Sequence, residues 1–239
     1  MLQPTFDLHL YGMHGNRRSI EAGRGHIGMG ARETKQLIRE EVVGQLNERP
    51  IDRIKVSSLT EELGIGRSTF YQYYDSVYSV LQEIEDELSA EIDEIDRVSF
   101  RYPFLDDYFH VPHPGILRVM QFCRTHYDEL AAIFGPFGDE NFARRCQRTM
   151  SGLFIERASE EGYIHVDPEE RRFIISFFEG GHWSLVMRWR NDPNPPSDED
   201  MAVLTYRLMF QTFRTQVPKS QTAAGRRRSL NASDKGPDA

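Results

Sequence analysis

The segment Leu63-Gly64-Ile65-Gly66-Arg67 most narrows what this chain can fold into. Upstream of it, Thr34 to Asn47 places Leu37, Ile38, Val42 and Leu46 on one face at helical spacing, and Pro50 ends the run. A short second helix opens near Ser57 and Ser58 and turns Leu59 and Leu63 inward. The glycines then break it. Gly64 suits the left-handed backbone position that closes a helix, because it has no Cβ to clash there. Arg67 to Tyr74 reads as a third helix. Two short helices joined by a glycine-containing turn can set the second of them into a DNA major groove.

The stretch Leu63-Gly64-Ile65-Gly66-Arg67-Ser68-Thr69-Phe70-Tyr71-Gln72-Tyr73-Tyr74 closely resembles the recognition-helix signature of TetR-family transcriptional regulators. Turn, Thr-aromatic-Tyr core and flanking helices recur in register over residues 32 to 80. The resemblance implies that Thr69, Tyr71, Gln72 and Tyr73 touch DNA. It also places Lys55, Val56 and Ser57 at the start of the preceding helix, where the family meets the backbone or a base. The chemistry of the side chains agrees. Arg67 can bind a phosphate or fork onto a guanine edge, and Gln72 can pair with adenine. Ser68 and Thr69 offer short hydroxyls at a helix N-terminus, and Tyr71 and Tyr73 can reach phosphates or base edges. Phe70 is expected to pack inward.

Two positions depart from the family pattern. Gly66 stands where a serine is common, so one cap hydroxyl is missing. Val77 stands where a lysine commonly donates to a phosphate at the start of the next helix, and the Tyr78 hydroxyl is the nearby substitute. The candidate DNA-contacting set is therefore Lys55, Ser57, Arg67, Ser68, Thr69, Tyr71, Gln72, Tyr73 and Tyr78.

Net charge is −8, which excludes a protein that coats itself with nucleic acid. Residues 32–76 are not basic either, with seven Lys and Arg against eight Asp and Glu. Any attraction to phosphate must come from placement, with Arg53, Lys55 and Arg67 on one surface and the acids turned away.

Further along, Ser76 to Val98 reads as one long helix with Val77, Val80, Leu81, Ile84, Leu88, Ile92 and Ile95 on its core face and a solvated acidic face opposite. Helices are expected from Pro114 to Phe134, Asp139 to Glu161, Asp167 to Arg190 and Ser197 to Thr215, divided by Gly135-Pro136-Phe137-Gly138, Gly162 and the Asn191–Pro196 loop. No strand pattern survives. The fold expected is all-α, with an N-terminal three-helix helix-turn-helix domain and a larger C-terminal helical bundle, about nine helices in all. The expected divisions are a disordered leader (1–30), the DNA-binding domain (31–76), an effector-binding and dimerisation domain (77–217) and a polar tail (218–239). The leader holds six Gly and three His, and a start at Met29 would remove it.

Membrane-length apolar runs and a secretory leader are absent, so a soluble, cytoplasmic protein is expected. Cys123 and Cys146 read as buried structural thiols, and Cys123-x-x-His126 lacks the further ligands of a zinc site. The sequence carries no nucleophile motif, phosphate loop or metal set, so neither enzyme activity nor a cofactor is expected.

By the same resemblance the C-terminal part holds a dimer surface and an effector pocket. Phe173, Phe177, Val186, Trp189, Leu204, Leu208 and Phe213 can form a four-helix interface with a second copy or fill the monomer core. Gly180-Gly181-His182-Trp183 interrupts a long helix at a cost of about 1 kcal/mol per glycine, which points to close helix approach or to room for a ligand. His126, Phe134, Tyr163, Phe178, His182 and Trp183 are the candidate pocket residues. The expected partners are double-stranded DNA, a second copy of the chain and a small-molecule effector, as in a ligand-responsive repressor. The competing reading is a helical adaptor whose head binds another protein.

Overall fold

At four of its helix starts this chain supplies the cap from its own side chains. The structure, a computed structural model, describes residues 30–99 and 101–214, which form ten α-helices with no strand among them. They are α1 (Ala31–Leu46), α2 (Val56–Leu63), α3 (Arg67–Tyr71), α4 (Val77–Ser99), α5 (Pro114–Thr125), α6 (Tyr127–Ile133), α7 (Glu140–Gln147), α8 (Leu153–Glu160), α9 (Arg171–Arg190) and α10 (Asp198–Arg214). The all-α class, with a helix-turn-helix ahead of a larger helical region, is the one the sequence implies. The expected leader up to Met29, the tail and the Phe213 side chain lie outside the described residues.

Side chains satisfy the otherwise unpaired amides at four helix starts. Ser76 and Ser79 exchange backbone-to-hydroxyl bonds of 3.1 and 3.2 Å before α4. His113 Nδ1 accepts from the Gly115 and Ile116 amides at α5. Asp139 caps α7, and Ser197 accepts from the Asp200 amide at α10. At the other end of α2, Gly64 has φ +64°, and the Ile65 amide reaches back to the Thr60 carbonyl, the left-handed stop expected of it.

Three boundaries differ from expectation, each for a local reason. α3 ends at Tyr71, where the Gln72 amide is shared between the Ser68 and Thr69 carbonyls and the Tyr73 amide bonds Phe70, three residues back. The helix expected from Pro114 to Phe134 breaks at His126, whose φ of −107° and ψ of 23° leave the helical region. The helix expected from Asp139 to Glu161 widens into a π turn at Arg148–Gly152. Of the two readings of Gly180-Gly181, Gly181 shows open space rather than close approach, and a close helix approach occurs at Gly152. A Cβ on Gly181 would meet nothing within 4 Å, whereas one on Gly152 would lie 3.3 Å from Ile175 of α9.

The chain divides into two compact units. The first takes residues up to Leu88 together with Asp128–Ala143, and its core is Ile38, Val42, Leu46, Leu59, Phe70, Val80, Ile84 and Leu130. The second takes Ser89–Tyr127 and the chain from Arg144 onward, with Met120, Phe122, Phe154, Ile155, Val186, Tyr206 and Phe210 among its buried residues. No described helix is long and apolar enough to cross a membrane.

Candidate nucleic-acid interface

Phe70 fixes α3 from below. It has no solvent exposure, its ring meets Tyr71 edge-on at 5.5 Å, and Tyr74 lies 6.0 Å away. With Phe70 inward, helical geometry turns the neighbouring side chains outward. Arg67, Ser68, Tyr71 and Gln72 are exposed, and Thr69 and Tyr73 are partly so. Tyr71 keeps 55% of its surface open, and Tyr78, in the first turn of α4, keeps 56%. Lys55 is exposed at the N-cap of α2, and Ser57 is partly exposed in its first turn. All nine candidate residues thus belong to the first unit and sit at the starts of α2 and α4, on α3 or in the turn that follows it. Gly66 caps α3 without a side-chain bond, and Val77 is buried, so neither supplies the polar contact common at those positions in the family.

An ion-pair network, which sequence reading missed, holds this surface to α4. Tyr74 donates to Glu83 at 2.7 Å, and Lys35 pairs with the same carboxylate at 2.7 Å while lying 5.2 Å over the Tyr74 ring. Arg39 reaches Glu83, Glu87 and Glu129 at 3.6, 2.5 and 3.1 Å. Burial pushes the Glu83 carboxyl up, but hydrogen bonds from Lys35 and Tyr74 outweigh it and hold the group below its ordinary value. Burial, with Glu83 adding to it, raises the Tyr74 phenol. Partners 48 residues apart leave no sequence signal.

The network sorts the charge of this region. Lys35 and Arg39 are committed to acids of α4 and α6, and Arg49 to Glu48. Arg53, Lys55 and Arg67 are exposed and enter no ion pair among the described residues. Asp52, Glu61 and Asp75 are exposed as well, so the surface is locally mixed rather than broadly basic.

The six candidate pocket residues do not line the cleft that the second unit presents. That cleft is bounded by Cys123, Arg124, Tyr127, Val186, Trp189, Arg190 and Pro195. His126 instead pairs with Glu91 at 2.8 Å. Tyr163 stacks on Phe104 and donates to Asp106 at 3.2 Å. Phe178 is half-buried and meets Phe177 edge-on at 5.4 Å. His182 and Trp183 are buried, and burial pushes His182 down to about 4. Phe134 is half-buried in the first unit. Cys123 is a buried thiol that burial lifts to about 12, the inert state expected of a structural cysteine.

A family model described as a transcriptional regulator C-terminal region, one of the TetR series, matches residues 111–211. No curated protein matches. Among solved structures, a TetR transcriptional regulator from Streptococcus agalactiae 2603V is similar at 18% identity and TM-score 0.46, over 75% of this chain and 94% of that one. A tetR-family transcriptional regulator from Streptomyces coelicolor is similar at 16% identity and TM-score 0.42, over 87% of this chain and all of that one. The dihydroxyacetone kinase operon activator DhaS is similar at 16% identity and TM-score 0.44, over 76% and 97%.

Proposed function

We propose that this chain, whose residues 111–211 match the C-terminal region of TetR-series transcriptional regulators, is a regulator of that family and acts as a homodimer inside the cell, binding a near-palindromic operator with one α3 in each of two major grooves. One observation carries this reading. A buried Phe70 and a Tyr74 tied to Glu83 hold α3 in place, while Arg67, Ser68, Tyr71 and Gln72 stand exposed beside Lys55. Arg67 and Lys55 supply charge for phosphates, Gln72 supplies an adenine-reading amide, and Tyr78 offers its hydroxyl in place of the missing lysine.

The regulator works as a repressor relieved by a small molecule. The effector binds one arrangement of the dimer better than the other and so shifts the population away from the DNA-competent one. The shift can be no larger than that difference in affinity.

The test is binding of the purified protein to the intergenic DNA upstream of its own gene at two salt concentrations, alongside Tyr71→Ala/Gln72→Ala. Sequence-selective binding that weakens with salt is expected, and the double variant should lose about tenfold or more. A folded dimer that ignores every duplex at low salt would overturn the reading and favour the protein-binding adaptor.

A further inference from the structure

The end of α5, the last turn of α9 and the loop after it border an open cleft of about 280 Å³, entirely within the second unit. Its apolar walls come from Cys123, Tyr127, Val186 and Trp189, all of them buried. Two guanidinium groups complete it, each laid on an aromatic ring. Arg124 lies 4.6 Å over Trp189 and Arg190 lies 5.0 Å over Tyr127.

The two arginines differ in what holds them. Arg124 is pinned by Asp198 at 2.5 Å and by the Pro196 carbonyl at 3.3 Å, so its charge is answered. The nearby Arg188 pairs with Asp192 at 3.6 Å. Arg190 is exposed and enters no ion pair among the described residues. Part of its charge offsets the carbonyl end of α9, but its five donors keep capacity for a carboxylate. The lining thus joins flat apolar walls to one uncommitted guanidinium, the composition of a site for a small anion with an apolar body. Its size falls just below that of drug-sized pockets, which start at about 300 Å³.

We propose that this cleft binds a small aromatic carboxylate, with the carboxylate on Arg190 and the ring between Tyr127, Trp189 and Pro195. The proposal rests on the ligand-responsive reading above, since it names the class of effector.

The test titrates benzoate, and benzamide as its neutral isostere, into the full chain by calorimetry, with tryptophan emission, from Trp183 and Trp189, as a second readout. Benzoate should bind better than benzamide, and Arg190→Gln should weaken benzoate by about tenfold or more while leaving benzamide unchanged. Arg190 is exposed, so the variant should stay folded, with its unfolding midpoint lowered only slightly by the loss of the charge at the end of α9. Equal binding of the two probes, no binding in the millimolar range, or benzoate affinity untouched by Arg190→Gln would overturn the assignment. The titration needs no DNA. A chain that binds benzoate but no operator therefore sinks the regulator reading alone, and one that binds operator but no benzoate sinks this site alone.

Discussion

His113 sits fully buried between the faces of Phe104 and Tyr206, at centroid distances of 5.6 and 5.8 Å, with the edges of Tyr108 and Phe154 closing the box. Its Nδ1 accepts from two backbone amides, so the ring proton belongs on Nε2. Burial, only partly offset by the Tyr102 backbone, lowers the imidazole from 6.5 to about 4. The unfolded chain therefore takes up this proton first as pH falls. The stability contributed is complete above about pH 6.5 and drains away down to about pH 4, by up to about 3 kcal/mol for such a shift. His182, also buried and lowered to about 4, adds to the same slope. His113→Asn keeps a cap acceptor without the titration, so its urea midpoint should fall less steeply than the parent's across this window. Equal slopes would mean that His113 is charged when folded. Nothing in the sequence singles out His113, because its ring partners come from positions as distant as Phe104, Phe154 and Tyr206.

Between α1 and α2 the sign reverses. Gln45, itself buried, donates to Glu41 at 2.7 Å and to Glu62 at 3.2 Å, bridging a carboxyl pair across the two helices. Burial first, then the hydrogen bond and charge of Glu62, with Glu48 adding, raise Glu41 from 4.5 to about 7. Here the folded head holds a proton that the unfolded chain has released, so stability falls as pH rises from about 4.5 to about 7 and stays low above it. Glu41→Gln should lift the thermal midpoint at pH 8 and leave it near the parent's at pH 4. An equal change at both would assign the effect to packing instead. The elements themselves were largely legible from Gly64, the serine and aspartate caps and the apolar periods, because those signals act within one turn of chain. The break at His126, the π turn at Arg148–Gly152 and the Gln45 bridge were not, since tertiary partners such as Glu91, Ile175 and Glu62 decide them. At the candidate interface the outward and inward faces of α3 followed from its register, but the sorting of charge did not. Lys35 and Arg39 find their acids on α4 and α6, and only then do Arg53, Lys55 and Arg67 stand apart as uncommitted cations.

At the scale of the whole molecule, the apolar residues of α9 and α10 fall into two groups. Val186 and Trp189 are buried within the protomer, so they belong to its core. Phe173 and Phe177 remain 64% and 72% exposed, and Leu204 and Leu208 remain 38% and 53% exposed. Burying such side chains is worth about 1.5–3 kcal/mol each, and two-fold symmetry counts every one of them twice. Phe177→Glu/Leu208→Glu should therefore turn a sedimenting dimer into a folded monomer, because both changes start from exposed positions and leave the protomer core alone. The consequence for DNA separates an interface from a misfolding artefact. A folded monomer keeps its own α3 and should bind an isolated half-site as the parent's single head does. On the full operator it loses the effective concentration that a partner head provides, a factor of about 10²–10⁴. Equal losses on half-site and full site would mean that the substitutions reach the head itself. An unchanged dimer would remove Phe177 and Leu208 from the interface.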